Sequence, residues 1–407
     1  MRYFANMFLI LFCADGMLSL MDEICALAFS LHVFSGVRGI LANFVIVMAI
    51  PLYLCLGIDK RLPKSVLIPL ILFVLLCPIS VLMFPSLAGS TGYGLSMAAL
   101  QVLLCVLPIS RFRKDGAKSL VMAKTMFDAP FFSLRNSAAF FAANLFAVPL
   151  AIALFVFCAA NSYLSLNTAG FMHLAPDGLH MVEKVYSRDN KTIRLAAMIH
   201  VGEKEYYEKL SDTAIAGRTI VLAEGVTDSG HLLNGGIDYS KLAGVLGLTS
   251  QENMRLKGRL IDKVEMEEAE SAKNDDAEND AEADILRADV DISSFRPNTI
   301  LILNELSRSL KESPSLSKGL TGFNAWLGKN MTPAMYKDLM DDILHRRNSV
   351  LIGHLRNALL RYDTIVIPWG AMHMPEIERE VLQQGFRRHK DYDRISIDFR
   401  KKLRDAL

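Results

Sequence analysis

No cysteine follows residue 158: Cys13, Cys25, Cys55, Cys77, Cys105 and Cys158 all lie in the apolar N-terminal part of the 407-residue chain. Whatever lies beyond can hold neither a disulfide nor a thiolate metal site, so a metal there needs His and carboxylate ligands. Charge is missing in blocks. Residues 65–110 contain no Asp, Glu, Lys or Arg, and residues 136–176 contain none either, whereas the chain after Asp177 is charged throughout. An excess of one sign is missing as well: the formal net charge is +1. Phosphate neutralisation requires a basic face, and none stands out in the charged half, which argues against a nucleic-acid partner.

The uncharged blocks are long enough to matter. A bilayer core about 30 Å thick takes roughly 20 apolar residues in helix. Residues 40–58, 66–84, 95–109 and 138–160 meet or approach that length. Residues 3–34 are also apolar but carry Asp15, Asp22 and Glu23, each costly in a bilayer unless paired or near the interface, so the count is four or five spans. Residues 1–160 are therefore expected to form an α-helical transmembrane region in contact with membrane lipids, 161–176 a linker and 177–407 one water-soluble domain. With one arginine near its start and no convincing cleavage site, the N-terminus does not read as a removable signal peptide. The spans read mainly as an anchor, because the later ones lack the ionisable side chains of an ion path.

Orientation follows from cation placement. Lys60, Arg61 and Lys64 flank one turn, and Arg111, Arg113, Lys114, Lys118, Lys124 and Arg135 crowd another, so both face the cytoplasm. The span 138–160 then crosses outward. That places the soluble domain on the extracytoplasmic side of the cell (inner) membrane.

Within that domain, residues 179–184, 193–200 and 219–224 read as strands, as do 299–304, 364–368 and 394–399. Helical patterns cover 203–210, 239–246, 335–342, 349–361 and 374–384. Strands alternating with helices predict an α/β domain with a largely parallel sheet. Residues 264–284 interrupt it: acidic and free of aromatic side chains, they form a solvated insertion rather than a calcium loop, for which the glycine-turned spacing is absent.

Open α/β sheets place chemistry at the carboxyl ends of their strands. Three features lie there. One strand ends at His200, a second at Glu224-Gly225, and a third runs into Gly370-Ala371-Met372-His373-Met374-Pro375, while Arg346-Arg347-Asn348 begins a helix. Two histidines and a glutamate suit a divalent metal with open positions. Each strand-terminal histidine has an equally simple reading as a hydrogen-bonded structural residue. For Arg347 the structural alternative is a buried ion pair with Glu224 or Asp228, and for Asn348 a helix cap. Asp228, His231, Asp289 and Asp291 read as exposed polar caps, and His354 as packing.

The segments Ala197-Met198-Ile199-His200 and Gly370-Ala371-Met372-His373, with VLAEGV at 221–226 and the Arg347-Asn348 pair, resemble the TraB/Tiki family, whose hallmark is two GxxH motifs. ChaN-like and erythromycin-esterase-like groups are its relatives. The resemblance covers roughly residues 177–386. It departs at Ala197, in place of the first glycine, and at Glu376, where a glycine commonly follows the second motif. It implies a divalent metal held by His200, His373 and Glu224, with Glu224 as ligand or general base and Arg347 or Asn348 stabilising an oxyanion. The implied activity is metal-dependent hydrolysis, with a peptide or protein as substrate. Two alternatives stand beside it: a non-catalytic domain on the same fold that binds a peptide, haem or lipid, and a membrane sensor or transport component. The orientation has a direct check. Protease added outside intact cells is expected to cut within residues 264–284, and cleavage only from the cytoplasmic side would reverse the topology.

Overall fold

A computed structural model describes residues 1–83, 91–114, 116–211, 218–234, 248–250, 257–268 and 283–406. The chain divides into two compact units, Met1–Ser162 and Tyr163–Leu407.

The first unit is helical. Its helices are α1 (Arg2–Phe29), α2 (Ser35–Ile58), α3 (Lys64–Met83), α4 (Thr91–Leu104), α5 (Val106–Arg111) and α6 (Leu134–Asn167). A small antiparallel hairpin, β1 (Phe112–Lys114) with β2 (Ala117–Ser119), carries part of the cationic loop. By length and composition, five helical segments are apolar enough to cross a membrane among the described residues: Arg2–Phe29, Ser35–Ile58, Lys64–Val81, Gly92–Arg111 and Leu134–Asn167. Segment 3–34 is thus mostly one continuous helix, and its acids are partnered. Asp15 accepts a hydrogen bond from the Gln101 amide at 2.8 Å, Asp22 meets His32 at 3.0 Å, and Glu23 pairs with Arg38 at 2.8 Å. Such pairing lowers the penalty that separate carboxylates would carry in an apolar setting. On α6 the apolar side chains Phe141, Leu145, Phe146 and Leu150 remain exposed, a surface that water would disfavour.

The second unit is an α/β domain. Its strands are β3 (Met172–Ala175), β4 (Gly178–Arg188), β5 (Lys191–Met198), β6 (Val201–Gly202), β7 (Thr219–Ala223), β8 (Thr249–Ser250), β9 (Arg259–Ile261), β10 (Asp284–Arg287), β11 (Thr364–Gly370) and β12 (Arg387–Asp398). The main sheet runs β12-β4-β5-β11-β7-β10-β9. From β5 to β9 all neighbours are parallel. β4 is antiparallel to β5 and β12, and its first residues also pair with β3. The central strands are runs rich in Val and Ile because both faces are covered. Ile220, Leu222, Ile365, Ile367 and Trp369 have no solvent exposure, and they form one core with Ile193 and Leu195 of β5.

Helices α7 (Lys204–Ser211), α8 (Lys263–Glu268), α9 (Pro297–Glu312), α10 (Leu316–Asn330), α11 (Pro333–Met340), α12 (Arg347–Ala358), α13 (Met374–Gln383) and α14 (Phe399–Ala406) complete the unit. Residues 299–304 lie in α9, so the strand expected there is a helix. Its Thr-Ile-Leu-Ile-Leu run fits either period, but Pro297 at the first turn and a polar continuation to Glu312 favour the helical one. The expected linker holds the end of α6 and all of β3. The helix read at 239–246 falls outside the described residues, as does most of the acidic run. Between α11 and α12, residues Asp341–Arg346 form a π-helical turn, a rare element that shifts the register of α12.

Gly178 opens β4 beneath β12. A Cβ placed there would run into the Ile397 carbonyl oxygen, and that backbone belongs to the strand pair itself. Gly178→Ala is expected to destabilise the domain by about 1–3 kcal/mol, read as a lower melting temperature of the full chain in detergent.

Candidate functional site

The ladder between β7 and β11 ends at Val221–Val366, although β11 stays paired with β5 as far as Gly370. Beyond that point side chains take over. The Trp369 indole donates to the Leu222 carbonyl at 2.9 Å, and the Gly370 amide donates to Glu224 Oε2 at 2.7 Å. The opening between the two strand ends is where a polar cluster collects.

Arg347 is its centre. From the first turn of α12, Nη2 donates to Glu224 Oε1 and to Asp289 Oδ2, both at 2.7 Å, and Nε donates to Asp289 Oδ1 at 3.0 Å. Asp289 also accepts from the Gly225 amide at 2.9 Å, which ties the ends of β7 and β10 together. The side chains of Arg347, Glu224 and Asp289 are 11%, 6% and 0% exposed, so solvent screening is weak. Burial works against the guanidinium charge, but the Asp289 bonds and both carboxylate charges outweigh it and hold the Arg347 pKa above its ordinary value. The guanidinium lies over the Trp369 ring, 5.3 Å from its centroid.

His373 stands on the other side of Arg347, immediately before α13. Its Nδ1 lies 2.7 Å from Asn348 Oδ1, while the Asn348 amide nitrogen donates to Glu376 Oε2 at 2.7 Å. That order fixes the tautomer: Asn348 presents oxygen, so Nδ1 carries the proton and Nε2 keeps its lone pair. Arg347 Nη1 lies 3.2 Å from this Nε2, and Glu224 Oε1 lies 3.8 Å from it. Burial, and after it the Arg347 charge, push the His373 pKa down to about 4 despite Glu224 and Asp289. The ring is neutral at physiological pH. The unfolded chain takes up this proton near pH 6.5, so the stability present above that value falls as pH drops towards about 4.

Four of the expected residues therefore meet: Glu224, Arg347, Asn348 and His373. His200 follows the end of β5 and is exposed, although its charge contributes to lowering the His373 pKa. Arg347 does pair with Glu224, but its second partner is Asp289 rather than Asp228. Asp228 instead accepts from the Leu232 and Leu233 amides at 2.8 and 3.0 Å, as a loop cap does. Asp291 caps its turn as read, accepting from Thr227 and the Ser229 and Ser293 amides. Asn348 is no helix cap, because helical structure runs straight through it from the π turn. Asp289, read as an exposed cap, is a buried anchor of the site. Asp289 follows the end of β10, a parallel strand that the sequence pattern does not predict, as Glu224 follows β7. Ala197 is buried in the core, where its carbonyl accepts from Tyr206 at 2.7 Å. No protein-family model, curated protein or solved structure matches this chain.

The metal implied by the resemblance can be tested against this geometry. Glu224 and His373 Nε2 are close, but a guanidinium already contacts both. His200 does not complete a set with them: among the described residues, the one group offering three ligand atoms within 4.8 Å of one another is His173, His180 and Asp393. As arranged, the cluster around Arg347 does not fit a resident divalent ion. Its carboxylates have the opposite requirement, a cation that must stay. Asp289→Ala is expected to destabilise the full chain by about 3–5 kcal/mol, because half of a buried ion pair is stranded. Asp228→Ala removes only a cap, about 1 kcal/mol, and thermal unfolding of the two variants in detergent separates the cases.

Proposed function

We propose that the protein is a membrane-anchored hydrolase resembling TraB/Tiki proteins, with its α/β domain on the extracytoplasmic side and peptides as the substrate class. The anchor rests on the five long apolar helices, and the orientation on the cationic loop at residues 111–135. The single observation that carries the chemistry is the neutral His373, whose Nδ1 proton is held by Asn348 and whose Nε2 lone pair faces a buried charged cluster.

In this reading His373 accepts a proton from water at Nε2, the general-base step of acyl transfer. Asn348 keeps the ring in the required tautomer and is itself held by Glu376. Burial, and after it the Arg347 guanidinium against Nε2, keeps the ring a weak base. With Nε and Nη2 still held by Asp289 and Glu224, Nη1 can donate to the oxyanion of a substrate, and that negative charge makes His373 a stronger base. The base and the charge stabiliser are thus switched together. A metal-dependent form of the reading would instead require His200, His373 and Glu224 to close on an ion that displaces Arg347.

One experiment separates these forms. Cleavage of a peptide library by the full-length protein is expected to fall on the order of 10²–10⁴-fold in His373→Ala and to survive exhaustive chelation. Activity retained in His373→Ala would refute the proposal. Activity lost on chelation and restored by a divalent ion would select the metal-dependent form.

A further inference from the structure

His173, His180 and Asp393 lie on adjacent strands at the antiparallel edge of the sheet and share no residue with the Arg347 cluster. His173 of β3 and His180 of β4 are direct cross-strand partners, and their rings stack with centroids 5.0 Å apart. Asp393 of β12 pairs with Val182, two residues beyond His180 and hence on the same face of β4. Its carboxylate lies 2.9 Å from His180 Nδ1 and 3.4 Å from His173 Nε2. A fourth group, Asp177, stands 3.0 Å from His180 Nε2.

Both His180 nitrogens face carboxylates, Nδ1 towards Asp393 and Nε2 towards Asp177, and His173 turns Nε2 to the same Asp393 carboxylate. Three ligand atoms, one each from His173, His180 and Asp393, thus lie within 4.8 Å of one another. A cation between His180 Nδ1, His173 Nε2 and the Asp393 carboxylate would leave the His180 Nε2 proton to Asp177. A carboxylate behind a metal-bound histidine is a common way of fixing its tautomer.

We propose that His173, His180 and Asp393 form a binding site for a divalent transition-metal ion, with zinc as the best chemical fit and Asp177 orienting His180. Two histidines and one carboxylate suit zinc, and three protein ligands leave a coordination position open. The side chains of His173 and Asp393 are 31% and 49% exposed, so an ion has a path in from solvent. Bound there, it would staple the first strand of the sheet to β12. The ion need take no part in the chemistry at His373.

The test uses the full-length, tag-free protein in detergent, stripped with chelator and then given zinc alone. Wild type is expected to retain one equivalent after gel filtration and to melt at a higher temperature with zinc. His173→Ala and His180→Gln are each expected to weaken zinc binding at least tenfold and to abolish the melting shift, while His373→Ala keeps both. Asp393→Asn, nearly isosteric, should show the same loss if either histidine variant fails to fold. Wild type that retains no zinc, or variants of His173, His180 and Asp393 that all retain it, would overturn the proposal. Loss of zinc only in His373→Ala would also overturn it and move the ion to the Arg347 cluster.

Discussion

The pairing of Arg347 with Glu224 and Asp289 is the constraint on which the rest of the site depends. Two carboxylates at the ends of parallel strands would repel each other across a low-dielectric gap, and each is too buried for water to screen it. A guanidinium with planar, forked donors can satisfy both at once, which a lysine could not. Meeting that need requires a helix whose first turn points into the opening between β7 and β11. The π turn at Asp341–Arg346 is the local feature that sets this register. It is anchored in turn by Asp342, whose carboxylate takes the Arg296 amide at 2.7 Å and the Thr299 hydroxyl at 2.7 Å.

Much of this was legible in the sequence, and the reasons differ between elements. Thr219–Ala223 and Thr364–Gly370 announce themselves because a strand covered on both faces has to be apolar throughout. The acids and histidines just beyond them stand out against those runs. Residues 299–304 misled for the same reason, since a short apolar run fits a buried strand or one face of a helix, and only the longer polar continuation distinguishes the two. Asp284–Arg287 is short, begins with an acid and ends in arginine, so it carries no apolar run to mark the strand end that Asp289 follows.

The π turn and the edge cluster were not legible at all, for a common reason. A π turn has no composition of its own, and it exists here because tertiary contacts of Asp342 hold the chain in that register. His173, His180 and Asp393 are separated by up to 220 residues in sequence. They meet only because β4 shares one edge between β3 and β5 while β12 returns along the other. Topology of that kind carries no local periodicity, so no spacing rule finds it.

Glu376 fixes how His373 is presented. Its carboxylate accepts from Asn348 and lies 3.1 Å from His345 Nδ1. Without it, the Asn348 amide could present either its oxygen or its nitrogen to His373, and the imidazole tautomer would be free to change. With it, the amide has one favoured orientation and the Nε2 lone pair has one direction. Glu376 thus supports His373 from behind, in the way a carboxylate supports His180 at the edge of the sheet. At Ala197 the methyl group sits within the core beside β11, and on β11 the Gly370 amide holds Glu224.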